Sequence, residues 1–251
     1  MSRKGKAVEP RGELLDLVQS LRLRVAGSSA GEWKTAGPAA PTGRPVSPEA
    51  ELRAVADQVL SCKECPLGAT RLKAVPGVGS PSAEIVFVGE GPGYEEDRKG
   101  EPFVGKAGGL LDRILKAMGL SRESVFIANI VKCHPMRDPS DPEARGNDRP
   151  PSPEEIAVCR RYLDRQIAAI GPRVIVGLGA VSAKALLGTS EGITRLRGGW
   201  AEYRRPDGSG PAIPFMPTYH PAALLRDETL KPAVWSDMKA VLARLGRSAP
   251  K

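Results

Sequence analysis

"EIVFVGEGPGYEEDRKGEPFVGKAGGLLDRIL" (residues 84–115) sets out a strand, a loop and a helix in one run. "EIVFVG" (84–89) is a short apolar stretch bounded by turn formers, as a buried strand is, and "AGGLLDRILKAMG" (107–119) spaces its apolar residues for a helix. The same order returns downstream. "SVFIANI" (124–130), "VIVGLG" (174–179) and "PFMPTY" (214–219) read as strands, with helical "PEEIAVCRRYLDRQIAAIG" (153–171) and "AVSAKALLG" (180–188) lying between them. Alternation of this kind predicts an α/β fold: three α/β/α layers around a central, mostly parallel four-stranded sheet. In such open sheets ligands lie beyond the carboxyl ends of the strands, so the residues that follow each strand are the ones to inspect.

The rest of the chain frames that core. Of 251 residues, 41% are hydrophobic and 26% charged, the proportions of a soluble globular protein. A formal charge of +8 suits a polyanionic partner, because neutralised phosphates release counterions; it equally suits a basic solvated surface. No apolar run of about 18 residues is present, so no transmembrane helix is expected. The opening "MSRKGKAVEPRGELL" is basic but lacks an apolar core, so a cytoplasmic location is expected rather than secretion. Residues 1–50 read as a flexible tail. "GELLDLVQSLRLRVAG" puts Leu14, Leu15, Val18 and Leu21 on one face of a possible short helix, either a segment that binds a protein partner or a sticky end. The Gly-, Ala- and Pro-rich stretch after it buries too little to offset its ordering entropy. A folded domain is expected over 51–246, with a disordered end at 247–251. Its first helix is announced by "SPEAELRAVADQVLSC" (47–62), which has a Ser cap, Pro at the first position and an early Glu.

Two stretches interrupt the alternation. "HPMRDPSDPEARGNDRPPSP" (134–153) is a long Pro- and Asp-rich loop, and "RRPDGSG" (204–210) reads as a hairpin turn. "GEPFVGKAGG" (100–109) approaches a phosphate-binding loop, yet a charged turn rather than a strand precedes it, Pro102 removes an N–H donor, and Ala107 cannot ligate magnesium. A nucleoside triphosphate site is therefore not expected. "VGEGPG" lacks the third glycine of a dinucleotide site, and the helix start in "VIVGLGAVSA" offers N–H groups for a phosphate or simply packs closely.

The four cysteines are Cys62 and Cys65, as "CKEC", then Cys133 and Cys159. A C-x-x-C pair with two further thiols suits a cubane iron–sulfur cluster or a structural zinc, and spacing does not choose between them.

Four segments stand at strand ends: "GEGPG" (89–93), "PFVGKAG" (102–108), "ANIVKC" (128–133) and "TYHPAALLR" (218–226). Together they supply a carboxylate (Glu90), an aromatic face (Phe103), an amide (Asn129) and an imidazole (His220), a set able to grip a planar base. With "GEGPGYEEDRKGEPFVGKAGGLLDRIL", Asn129 followed by Cys133, and "YHPAALLR", the chain resembles the family 4 uracil-DNA glycosylases, the iron–sulfur type of bacteria and archaea. The resemblance covers about Cys62 to Leu245. It implies the uracil-DNA glycosylase fold and a [4Fe-4S] cluster on Cys62, Cys65, Cys133 and Cys159. It further implies that Phe103 stacks on an extruded uracil, Asn129 reads its amide edge and His220 faces its O2. Gly89 and Gly91 complete the uracil-binding set, and Glu90 is the candidate for orienting water or the base.

Uracil-containing DNA is then the partner, with no membrane involved, a monomeric enzyme, and association with the nucleoid through DNA. Lys106 and Arg226 are placed to meet phosphates, and Leu224 or Leu225 to fill the gap left in the base stack. His134, beside a cluster ligand, reads as structural. A related branch caps uracil-DNA covalently beside a "GEQPG" motif. This chain has Gly91 at the Gln position, which favours turnover. The competing class is a non-turnover or covalently capping iron–sulfur protein that binds uracil-DNA.

Overall fold

The computed structural model describes residues 46–250. The expectations placed on residues 1–45, the short helix and its partner among them, lie outside that range. Helix α1 (Pro48–Ser61) begins as its cap predicts, with Ser47 Oγ accepting from Ala50 N at 3.3 Å, so it starts just ahead of the expected boundary at residue 51. Next come α2 (Leu67–Thr70), β1 (Val78–Gly79), β2 (Ile85–Gly89), α3 (Tyr94–Lys99), α4 (Lys106–Ala117) and β3 (Phe126–Asn129). The chain continues through α5 (Pro153–Ile170), β4 (Val174–Leu178), α6 (Ala180–Leu187), α7 (Ile193–Leu196), β5 (Ala201–Tyr203) and β6 (Ile213–Thr218). It closes with α8 (Pro221–Arg226), a 3-10 turn (Glu228–Leu230) and α9 (Lys231–Arg244). Of the end expected to be disordered, 247–250 are described, and Arg247 pairs with Glu84.

The sheet has six strands, not the expected four, in the order β1-β3-β2-β4-β6-β5. The four expected strands are its parallel centre (β3-β2-β4-β6), and β1 and β5 add antiparallel edges. The edges escape a search for apolar runs because they are only two and three residues long and half-exposed. β5 and β6 flank the turn that "RRPDGSG" predicts.

Alternate residues of each central strand face opposite layers. Val86, Val88, Phe126, Ala128, Ile175 and Phe215 pack with α1 and α5 through Val55, Val59, Tyr162 and Leu163. Ile85, Phe87, Ile127, Val174, Val176 and Met216 pack with α4 and α9 through Leu111, Leu115, Val234 and Met238. Both sheet faces are thus covered, which is why these strands are apolar throughout rather than alternating.

One expectation is corrected near the site. "YEEDRKG", read as a charged turn, forms helix α3 instead. The Glu96 carboxylate reaches back to Gly93 N at 3.2 Å, and Gly100 closes the helix in the left-handed region at φ 81°. Three acidic residues in its first turn complement the helix dipole.

Candidate active site

The parallel strands end on one rim. Registers Gly89↔Asn129 and Leu178↔Thr218 bring the residues after β2, β3, β4 and β6 together there. They line a cavity of about 530 Å³ that holds Glu90, Gly91, Phe103, Asn129, Gly179 and His220. Its size is that of an ordinary small-ligand pocket.

Asn129 ends β3 with its side chain buried (2% exposed), and its Oδ1 accepts no hydrogen bond among the described residues. Its own carbonyl is held by the buried Lys132, whose Nζ donates to it at 2.9 Å and to Gln166 Oε1 at 2.8 Å. Burial draws the Lys132 ammonium down to about 8, against the pull of nearby Cys159, Asp164 and Cys133. An unpaired oxygen in that position costs about 1–3 kcal/mol unless a ligand donates to it.

Gly89 is required by its neighbours. A Cβ there would stand 2.3 Å from Asn129 Oδ1 and 2.6 Å from Phe103 Cζ, so the amide and the ring both press on bare backbone. Gly91 packs in the same way against Val131. Phe103 is 5% exposed and sits at φ 56°, alone among the described non-glycine residues in the left-handed region. A bulky side chain held there costs about 1–3 kcal/mol.

His220 follows β6 and caps α8, its Nδ1 accepting from Ala222 N at 3.1 Å. That bond leaves the proton of the neutral ring on Nε2. Burial, aided by Arg226, lowers its pKa to about 4, so the ring is neutral at ordinary pH. Gly179, at φ 94°, would bring a Cβ within 3.0 Å of the His220 Cβ. The second glycine of "VIVGLGAVSA", Gly179, therefore packs closely against His220. Glu90 is half-buried, and desolvation raises its carboxyl above the ordinary value.

Residues that sequence reasoning missed also shape the cavity. Glu96 Oε1 accepts from Val104 N at 2.9 Å and Gly105 N at 3.1 Å while Oε2 holds Gly93, so one carboxylate ties together the two loops that carry Glu90 and Phe103. The three-residue step from Gly93 to Glu96 is a capping spacing, and it was the available signal. The long loop contributes Pro135, Asp148 and Arg149 to the lining, which its composition did not reveal. One anchor of the loop is His134, buried between Asp148 (Nε2 to Oδ1, 2.7 Å) and Asp97 (3.7 Å); Asn147 and Arg149 supply further bonds within it. Burial alone would lower His134, but the two carboxylates outweigh it and hold the ring up to about 9.

Among the DNA-facing candidates, Lys106 opens α4 and Arg226 ends α8; both are exposed, and Arg226 reaches the cavity. Leu225 is 43% exposed, whereas Leu224 is 2% exposed and packs in the core under α8. Leu224 is thus removed as a wedge, because the helix turns it inward. Loop 100–109 is no phosphate cradle: α3 separates it from β2.

Away from this rim, Cys62, Cys65, Cys133 and Cys159 line one pocket from three separate segments, all as free thiols. Arg71 Nη1 donates to Cys133 Sγ at 2.9 Å, and Lys132 N to Cys159 Sγ at 3.3 Å. Burial pushes the Cys133 thiol up to about 11, and Arg71 opposes the shift. Among the described residues no three His, Cys, Asp or Glu side chains come close enough to hold a single metal ion.

Residues 76–239 match the family model of the uracil DNA glycosylase superfamily. The chain is 42% identical over 197 residues to the type-4 uracil-DNA glycosylase of Archaeoglobus fulgidus, which covers 77% of this chain and 92% of that protein. It is likewise 42% identical over 176 residues to the type-4 uracil-DNA glycosylase of Thermotoga maritima, covering 70% and 83%. A type-5 uracil-DNA glycosylase of Thermus thermophilus is more distant, at 31% over 130 residues, covering 46% and 54%.

Proposed function

The chain belongs to the uracil-DNA glycosylase superfamily, and we propose that its strand-end rim extrudes uracil from DNA and hydrolyses the N-glycosidic bond, leaving an abasic site. The observation that carries this reading is Asn129 Oδ1, buried and unpaired beside the Phe103 ring. Uracil N3–H would donate to it while the Asn129 amide N–H donates to O4. Cytosine presents the reversed pattern and would leave both groups unpaired, the kind of mismatch that discriminates most sharply.

Extrusion costs roughly a few kcal/mol, least for a poorly paired base, and stacking on Phe103 returns about 1–3 kcal/mol. As the C1′–N1 bond breaks, its electron pair passes to uracil. His220, neutral with Nδ1 occupied by the cap, donates Nε2–H to O2 as charge gathers there. One such donor is worth roughly 3–4 kcal/mol in the transition state. Water oxygen then bonds to C1′, with Glu90 orienting it and taking its proton. Lys106 and Arg226 hold flanking phosphates, and Leu225 enters the vacated stack.

Cys62, Cys65, Cys133 and Cys159 would hold a [4Fe-4S] cluster. One feature supports the fit: the four thiols share one pocket, with N–H donors aimed at two of the sulfurs. When bound, the cluster supplies a cross-link between the end of α1, the segment after β3 and α5. The enzyme acts as a monomer in this reading, with a protein partner for the N-terminal tail.

A uracil-containing oligonucleotide incubated with the protein and then with hot alkali tests the assignment. Strand scission with free uracil is expected, and Asn129→Ala should abolish it while DNA binding persists. A stable protein–DNA adduct without free uracil would establish the capping alternative instead.

A further inference from the structure

Phe103 lies where a base would stack, yet its backbone is in a conformation that a bulky residue resists. Something outside the pocket must hold it. Arg122 lies in the turn between α4 and β3, away from the cavity lining. Its Nη1 donates to Pro102 O at 2.9 Å and its Nη2 to Phe103 O, so one guanidinium grips two successive main-chain carbonyls. Asp112 on α4 fixes the remaining edge, accepting from Arg122 Nε at 2.6 Å. The other side of the Phe103 carbonyl is closed by Gly108, where a Cβ would lie 1.7 Å from that oxygen. A surface ion pair would need only Asp112. The paired carbonyls are what give Arg122 a second task.

We propose that Arg122 is a positioning residue for the stacking face: it holds Phe103 left-handed, and so keeps the ring against Gly89 and 5.6 Å from the His220 ring. The proposal rests on the assignment of Phe103 as the face that receives uracil. Without Arg122 the Phe103 carbonyl loses its charged donor, and residue 103 relaxes toward an ordinary conformation that swings the ring off Gly89. Lys cannot replace the fork, since an ammonium lacks the fixed planar set of donors that spans two carbonyls and a carboxylate.

The test compares the parent with Arg122→Met, Phe103→Gly and the double variant, using a uracil-containing oligonucleotide and backbone hydrogen exchange. Arg122→Met should lower kcat by about tenfold or more, the loss expected for a hydrogen bond from a charged donor, with KM for DNA unchanged. Exchange should quicken over 102–109 and stay as in the parent within the central strands. In the Phe103→Gly background, where neither ring nor strain remains, Arg122→Met should cost nothing further. Asp112→Asn, which keeps Arg122 but loosens its hold, should move both readouts the same way by less. Multiplicative losses in the double variant, or parental exchange over 102–109, would overturn the proposal. If the parent releases no uracil, the function is misassigned, and the exchange comparison still decides whether Arg122 holds Phe103.

Discussion

The rings of Phe103 and His220 stand 5.6 Å apart and tilted by 31°, although one belongs to the loop before α4 and the other caps α8. In the proposed reading a base stacked on Phe103 lies beside the imidazole, whose Nε2–H is free to address a carbonyl oxygen. His220→Ala should lower single-turnover excision by about 10²–10³-fold, the usual cost of one oxyanion donor. Binding of uracil-DNA, followed by fluorescence anisotropy, should change little. Equal losses in both measurements would reduce His220 to a helix cap.

Acid dependence should follow Glu90 rather than His220. Burial raises the Glu90 carboxyl above 4.5, and burial lowers His220 to about 4, so on acidification Glu90 takes a proton while His220 is still neutral. The acid limb of the excision rate is expected above pH 4.5, and Glu90→Gln should slow the reaction and erase that limb. The two groups act oppositely on stability. The depressed His220 contributes stability that is present above its ordinary 6.5 and lost as pH falls toward about 4. The raised Glu90 contributes stability that is present below 4.5 and lost as pH climbs through its folded value. Rates and urea midpoints measured across this range check both signs.

Two adjacent leucines should separate cleanly. Leu224→Ala empties a packed site and should destabilise the fold by about 2–5 kcal/mol. Leu225→Ala should leave the urea midpoint nearly unchanged and slow excision from duplex DNA more than from single strands, where no stack is opened. A matching loss on both substrates would deny Leu225 the wedge role.

Protein purified without oxygen should be brown and absorb near about 400 nm, with about four irons per chain, as four thiolate ligands imply. Cys133→Ser should bleach it and lower the thermal midpoint, because the cluster would no longer tie the end of α1, the segment after β3 and α5 together. A colourless protein carrying one zinc would remove the cluster.

Much of this was legible in the chain alone. Four apolar runs with helices between them determined a parallel centre covered on both faces, since a strand buried on both sides has no polar alternation to hide. The same runs pointed to the rim that lines the candidate site, because every parallel strand delivers its next residue to one edge. Residue chemistry at those edges pointed to Glu90, Asn129 and His220 as candidates, whereas Phe103, expected at a strand end, instead follows helix α3 and reaches the rim through its own loop.

Only the tertiary structure decided how these residues are held and what each can do. Short half-exposed edges such as β1 and β5 carry no apolar run, so pairing with a neighbour is what defines them. The direction of a leucine on α8 depends on helix phase against the core, which sent Leu224 inward and Leu225 out. Glu96 joins two loops through three main-chain N–H groups, and Arg122 grips the carbonyl of Phe103 from a distant turn. Backbone donors and acceptors are the same in every residue, so no sequence pattern marks which side chain will reach them. "GEPFVGKAGG" spells a near phosphate loop in letters. In the fold it instead makes a left-handed turn at Phe103, whose carbonyl meets Arg122 on one side and Gly108 on the other.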